Sequence, residues 1–164
     1  MEPFDFDNAA GFQQAVLKAV DAALARGTRS LLCVDRDFAG WPLDDPTLLD
    51  ALSGWLRRPG RRLILLAEHF ERMERLHPRF TQWRPFWSHA IEPRCPEQRP
   101  PDGLETLLLD DGPTVLEALA TDPPAVPPKG RAQQDAAVAA AARDRIDAWL
   151  QRSVVSWPVR PLGL

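Results

Sequence analysis

With 164 residues, 45% of them hydrophobic and 26% charged, the chain is long enough to bury a substantial core and too apolar to stay disordered, so one domain over residues 1–164 is expected. A net charge of −3 offers no general attraction for phosphates or anionic lipid, and nucleic acid is not an expected partner. Met1-Glu-Pro-Phe-Asp-Phe-Asp7 lacks the basic flank and apolar stretch of an export signal, and no apolar run approaches the length of a membrane span; no membrane partner and a cytoplasmic location are expected.

Asp7 or Asn8 can cap a first helix in which Phe12, Val16, Val20 and Leu24 recur every four positions, and Gly27 supplies a left-handed stop. Ser30-Leu-Leu-Cys-Val-Asp35 is a short apolar run that reads as a buried strand. Asp44, Asp45 and Pro46 open a second helix with the stripe Leu48, Leu49, Leu52, Trp55 and Leu56, closed by Arg57 to Gly60. Arg62-Leu-Ile-Leu-Leu-Ala67 reads as a second buried strand, so the order strand, helix, strand implies a right-handed parallel crossover.

Phe70, Met73 and Leu76 keep helical spacing up to His77, where Pro78 breaks or restarts the helix, and Phe80, Trp83, Phe86 and Trp87 continue the apolar stretch. Ala90 to Arg94 fits a short strand, and Cys95 to Gly103 fits a Pro-rich loop. Leu104-Glu-Thr-Leu-Leu-Leu-Asp110 reads as a third long strand ending in the turn signal Asp111-Gly112-Pro113. Thr114 to Ala120 is either a hairpin strand or a helix start. A Pro-rich linker over 120–130 is expected before a long Ala-rich helix over Arg131 to Arg152, followed by an apolar tail docked at the sheet edge. The expected class is α/β, with a mixed, mostly parallel sheet flanked by helices.

The succession "SLLCVDRDF", "DDPTLLDAL", "RRLILLAEH", "LHPRFTQW", "IEPR", "LETLLLDDG", "ARDRIDAWLQRS" and "PVRPLGL" resembles the phospholipase D-like fold, and within it a bacterial branch of uncharacterised domains, some attached to acyltransferases. The resemblance covers nearly the whole chain. Active members of that superfamily carry His-x-Lys-x-x-x-x-Asp on the matching strand and turn, with the histidine as nucleophile and the lysine on the phosphate. Laying the aspartate on Asp110 puts Gly103 at the histidine position and Glu105 at the lysine position. Glycine has no nucleophile, and a carboxylate repels the anion that an ammonium attracts. Active members also join two such motifs, and this chain holds no second one. The resemblance therefore implies a non-catalytic relative with a binding or assembly role, a homodimer among its expected forms, and an unidentified ligand.

Several residues stand out beside it. Asp35 and Asp37 follow one strand, and Asp110 and Asp111 another. If those strands run parallel, the carboxylates gather at the carboxyl end of the sheet, where open α/β folds bind ligands and oxygen donors can hold Mg²⁺. Asp-x-Asp after a strand also resembles the haloacid dehalogenase phosphatases, which gives a rival reading as a Mg²⁺-dependent phosphohydrolase with Asp35 and Asp37 catalytic. Phe38 stands where that family has Thr or Val, no lysine lies between Lys18 and Lys129, and aspartate at a strand end more commonly serves as a turn or cap residue.

Glu68 and His69 follow the second strand and join the candidate binding set. The run Arg79, Trp83, Arg84, Trp87 can meet phosphates and stack on bases, but on a helix it reads as a packed amphipathic face. Arg57, Arg58, Arg61 and Arg62 form the one dense basic run, read as a helix C-terminus that recruits cations to its dipole, with nucleic-acid binding as a third reading. Cys33 and Cys95 have no metal-site spacing and read as free thiols; neither a metal nor another cofactor is expected.

Overall fold

In the computed structural model, which describes residues 1–119 and 128–159, the chain opens with a short strand, β1 (Phe4–Phe6). Asn8 then caps helix α1 (Ala9–Ala25) by accepting the Gly11 amide at 2.7 Å. Gly27 has φ 75° just beyond it, in the left-handed region that ends a helix and that a Cβ resists. After β2 (Ser30–Asp35) comes α2 (Pro46–Leu56), opened by Pro46 and by the Asp45 carboxylate, which accepts the Thr47 and Leu48 amides. β3 (Arg62–Ala67) lies parallel to β2, with Leu31 opposite Leu63 and Val34 opposite Leu66. Pro78 divides the next helical stretch into α3 (Met73–Leu76) and α4 (Pro78–Trp83), and a 3-10 turn over Arg84–Trp87 leads to β4 (Ile91–Pro96), parallel to β3.

The direction of the sheet then changes. β5 (Thr106–Asp110) pairs antiparallel with β2, placing Leu32 opposite Leu109, and β6 (Thr114–Leu119) returns beside β5 as a hairpin strand. β7 (Lys129–Gln134) pairs antiparallel with both β6 and β1. Helix α5 (Ala136–Gln151) follows, and β8 (Ser153–Val155) pairs antiparallel with β4. The eight strands run in the order β1-β7-β6-β5-β2-β3-β4-β8. The α/β class holds, but the expectation of a mostly parallel sheet is wrong: parallel pairing is confined to β2, β3 and β4. A parallel return needs a crossover of about a dozen residues or more, usually a helix, and residues 97–105 form only a short loop. The strand that leaves this loop has to run back.

The last helix starts at Ala136 under the Asp135 cap, not at Arg131, because Lys129–Gln134 is strand. Of the expected linker, residues 120–127 lie outside the described residues, while Lys129 and Gly130 belong to β7. The apolar tail docks at the sheet edge as β8; residues 160–164 lie outside the described residues.

Strand periodicity sorts the core into two layers. Leu31, Cys33, Leu63, Leu65, Leu108 and Leu116 face α1 and α2, packed with Phe12, Val16, Leu52 and Trp55. The alternate positions Val34, Leu66, Leu107, Leu109 and Val115 face α5 through Ala139, Ala142 and Ile146. A Cβ at Gly130 would fall 2.0 Å from the Glu117 carbonyl oxygen of the neighbouring strand. Gly130→Ala is therefore expected to destabilise the protein by about 1–3 kcal/mol or more. Gly54→Ala, on the exposed side of α2 with nothing near its Cβ, is expected to stabilise it by about 0.5–1 kcal/mol; chemical denaturation of both variants checks the pair.

Candidate functional site

The three parallel strands end on one side of the sheet, and the antiparallel β5 begins there. Asp35, Arg36 and Asp37 leave β2, Glu68 and His69 leave β3, and the loop after β4 passes over them before entering β5 at Thr106. Asp35, Asp37, Glu68 and His69 are thus brought to one end. Asp110 and Asp111 are not, because β5 runs antiparallel and pairs Asp110 with Leu31 near the start of β2. There Asp110, its side chain fully enclosed, accepts from Arg26 at 3.0 Å and from the Gly112 and Thr114 amides. Asp111 accepts the Arg29 amide.

Glu68 fastens the loop to the strand ends. Its carboxylate, 5% exposed, accepts the Leu104 amide at 3.0 Å and Arg99 Nε at 2.8 Å, with Arg36 Nε 4.0 Å away. Arg36 donates in turn to the Asp102 carbonyl oxygen. Glu68, His69, Pro96 and Arg99 line a cleft of about 220 Å³. His69 Nδ1 is buried there with no hydrogen-bond partner among the described residues, while the Arg99 side chain is 81% exposed. The cleft therefore offers the exposed part of the Arg99 guanidinium beside the His69 ring, whose Nδ1 is enclosed.

Asp35 and Asp37 have internal work. Asp35 accepts from the Thr106 hydroxyl and from the Phe38 and Asp37 amides. Asp37 accepts the Ala39 amide and pairs with Arg72 at 3.3 Å. Between them sits Phe38, fully buried with φ 60°, a conformation bulky residues rarely adopt. Its amide is held by Asp35, and its carbonyl oxygen accepts from His77 Nε2 at 2.8 Å. The carbonyl can only accept, so His77 Nε2 carries a proton and donates it. Among the described residues no three His, Cys, Asp or Glu side chains come together as a metal site.

The positions aligned with the phospholipase D motif are filled differently. Gly103 has φ 76°, and a Cβ there would lie 2.8 Å from Arg36 Nε. Glu105 pairs with Arg145 of α5 at 3.0 Å, and Arg145 also meets Glu117. Of the interleaved aromatic and basic run, Phe80 is fully buried and Trp83 Nε1 donates to Ser53. Arg84 lies 3.5 Å over the Trp157 ring, where burial pushes its pKa down to about 10. Cys33 is buried, which pushes its thiol up to about 12, and both cysteines are free.

Arg36, Arg99 and Thr106 complete this end of the sheet and were not singled out from the sequence. Arg36 carried a signal, since it stands between two flagged aspartates; Arg99 and Thr106 reach it only through long-range pairing.

No family model matches the chain, and no curated protein does. Solved structures share its fold, two of them Nuc and TrmBL2. Nuc from Salmonella typhimurium, a phospholipase D family member, is 13% identical with a TM-score of 0.60, over 96% of this chain and 100% of that one. TrmBL2, an archaeal chromatin protein described with a novel mode of DNA binding, is 14% identical with a TM-score of 0.63, over 95% of this chain. The present chain spans only 54% of TrmBL2. At these identities the likeness establishes the fold, a phospholipase D-like mixed sheet flanked by helices.

Burial raises the pKa of Asp35 against the Thr106, Phe38 and Asp37 hydrogen bonds that lower it. A carboxyl with a raised folded-state pKa stabilises the fold fully below its unfolded value near ~3.9, and that stability is lost as pH rises through the folded value. Asp35→Asn can keep the geometry, its oxygen accepting from Phe38 and its amide donating to the Thr106 oxygen. The variant is expected to show a flatter dependence of Tm on pH above about 4. Glu68→Ala is expected to cost about 1–3 kcal/mol, mainly through the stranded Leu104 amide, because the two arginines are exposed and screened. Faster limited proteolysis within residues 97–105 of that variant checks the anchoring role.

Proposed function

We propose that this chain is a phospholipase D-like domain that binds rather than cleaves, with an unidentified ligand at the strand ends around Glu68, His69 and Arg99. The observation that carries this reading is the fate of the aligned motif positions. Gly103, at φ 76°, brings no side chain to the first position, and position 105 carries a carboxylate paired with Arg145. A nucleophile and a phosphate-holding cation both need a free side chain aimed at the substrate. The remaining group that suits recognition of a small polar or anionic ligand is the exposed Arg99 guanidinium, in a cleft it shares with His69. Asp35, Asp37 and Glu68 then shape the site from behind. Cytoplasmic residence and homodimer formation belong to the same proposal.

The rival phosphohydrolase has less support. Asp35 and Asp37 spend their oxygens on amides, a hydroxyl and Arg72, and Asp110 and Asp111 sit at the far end of the sheet. The DNA binding described for TrmBL2 brings nucleic acid forward as a ligand class.

Incubation with bis(4-nitrophenyl) phosphate, and with 4-nitrophenyl phosphate plus Mg²⁺, is expected to give no turnover above buffer. Diester hydrolysis lost in His69→Ala would overturn the non-catalytic reading, and Mg²⁺-dependent monoester hydrolysis lost in Asp35→Asn would establish the rival.

A further inference from the structure

The opposite end of the sheet gathers a different set of side chains. Arg29 precedes β2, and Arg61 and Arg62 precede and open β3, joined where the Arg62 amide donates to the Arg29 carbonyl oxygen at 3.0 Å. Arg57 and Arg58 leave the end of α2, whose Trp55 Nε1 donates to the Thr28 carbonyl oxygen one residue from Arg29. The Leu63 amide donates to the Ala90 carbonyl oxygen, which brings His89 and the start of β4 alongside. Five arginines from three chain segments thus share one end of the sheet.

Arg62 is paired with Glu92, and the nearby Asp110 and Asp111 are engaged by Arg26. Arg29, Arg57, Arg58 and Arg61 have no carboxylate within ion-pair distance among the described residues. The dipole of α2 attracts Arg57 and Arg58 at its C-terminal end, whereas Arg29 and Arg61 lie outside that helix. Arginines without an ion-pair partner at one end of the sheet leave a local excess of positive charge, which an anion would offset.

We infer that this face, on the side of the sheet away from the Glu68 cleft, binds a single strand of nucleic acid. Every cation in the set is arginine, whose planar fork meets phosphate oxygens two at a time. Phe86, 79% exposed, sits in the turn that leads through Ser88 and His89 to Ala90, whose carbonyl oxygen accepts the Leu63 amide next to Arg62. An exposed ring next to a basic face gives bases a surface to stack on, which acidic lipid does not require. The inference concerns a second surface, separate from the Glu68 cleft, and does not depend on the loss of chemistry at that end.

Fluorescence anisotropy of a labelled oligothymidine against salt concentration tests it. Affinity is expected to fall steeply with salt. Arg57→Ala combined with Arg58→Ala, both exposed, is expected to weaken binding about tenfold or more and to reduce the slope of log affinity on log salt by about 1.4. Phe86→Ala is expected to weaken it about fivefold or more, while Arg131→Ala, paired with Asp5 on the β7 border and outside both candidate sites, leaves it unchanged; circular dichroism confirms that each variant is folded. Absence of salt-sensitive binding, equal affinity for inorganic polyphosphate, binding to anionic vesicles in place of the oligonucleotide, or indifference to Phe86→Ala would each overturn the inference. Binding with cleavage of the strand would instead overturn the non-catalytic reading and leave this face standing.

Discussion

The link from β4 to β5 is the constraint on which the structure turns. The sheet order places β2 and β3 between these two strands, so the connection must cross the ends of both with no helix to carry it. A polar backbone laid over a sheet end needs partners, and Glu68 supplies one at the end of β3, accepting the Leu104 amide while its charge is met by Arg99 and Arg36. Once that crossing is fixed, β5 can only run antiparallel to β2, and the β5-β6 hairpin and the packing of α5 against Leu107, Leu109 and Val115 follow.

The same end of the sheet holds a second local device. The chain leaving β2 must bury Phe38 among Trp41 and Phe70, and it does so by adopting φ 60° at an aromatic residue. Such a conformation costs about 1–3 kcal/mol and lasts only where the surroundings enforce it. Asp35 takes the Phe38 amide and His77 donates to its carbonyl oxygen, so a residue after β2 and one between α3 and α4 act on a single peptide turn. Asp-x-Asp after a strand is here the chemistry of a turn, whatever else it resembles.

What could be read from the sequence was local. Helices α1 and α2 announced both ends through Asn8, Gly27, Asp45 and Pro46 and their buried face through a stripe of apolar residues, and β2 and β3 were apolar runs with a helix between them. Strand direction is not a local property. Asp110 and Asp111 were recognised as strand-end acids, yet the direction of β5, set by the length of the preceding loop, decided which end they occupy. β7 was missed because Lys129-Gly-Arg-Ala-Gln-Gln134 shows no apolar alternation; only Ala132 in it is buried among hydrophobic residues, and its place comes from the close approach of Gly130 to β6. The grouping of Asp35, Asp37, Glu68 and His69 was legible because all four follow strands that a helix joins in parallel. Their partners Arg99 and Thr106 were not, since nothing near them in sequence signals a contact with residues so distant along the chain.

Both outer strands of the sheet, β1 and β8, are only three residues long. A short border offers little backbone for another molecule to extend the sheet, and β1 covers Gly130, Arg131 and Ala132 of the six-residue β7. Arg131 and Asp5 hold this border strand in place through paired hydrogen bonds. The opening residues therefore shield the longer strand behind them from lateral self-assembly, and loss of that border would expose a template for fibrous stacking.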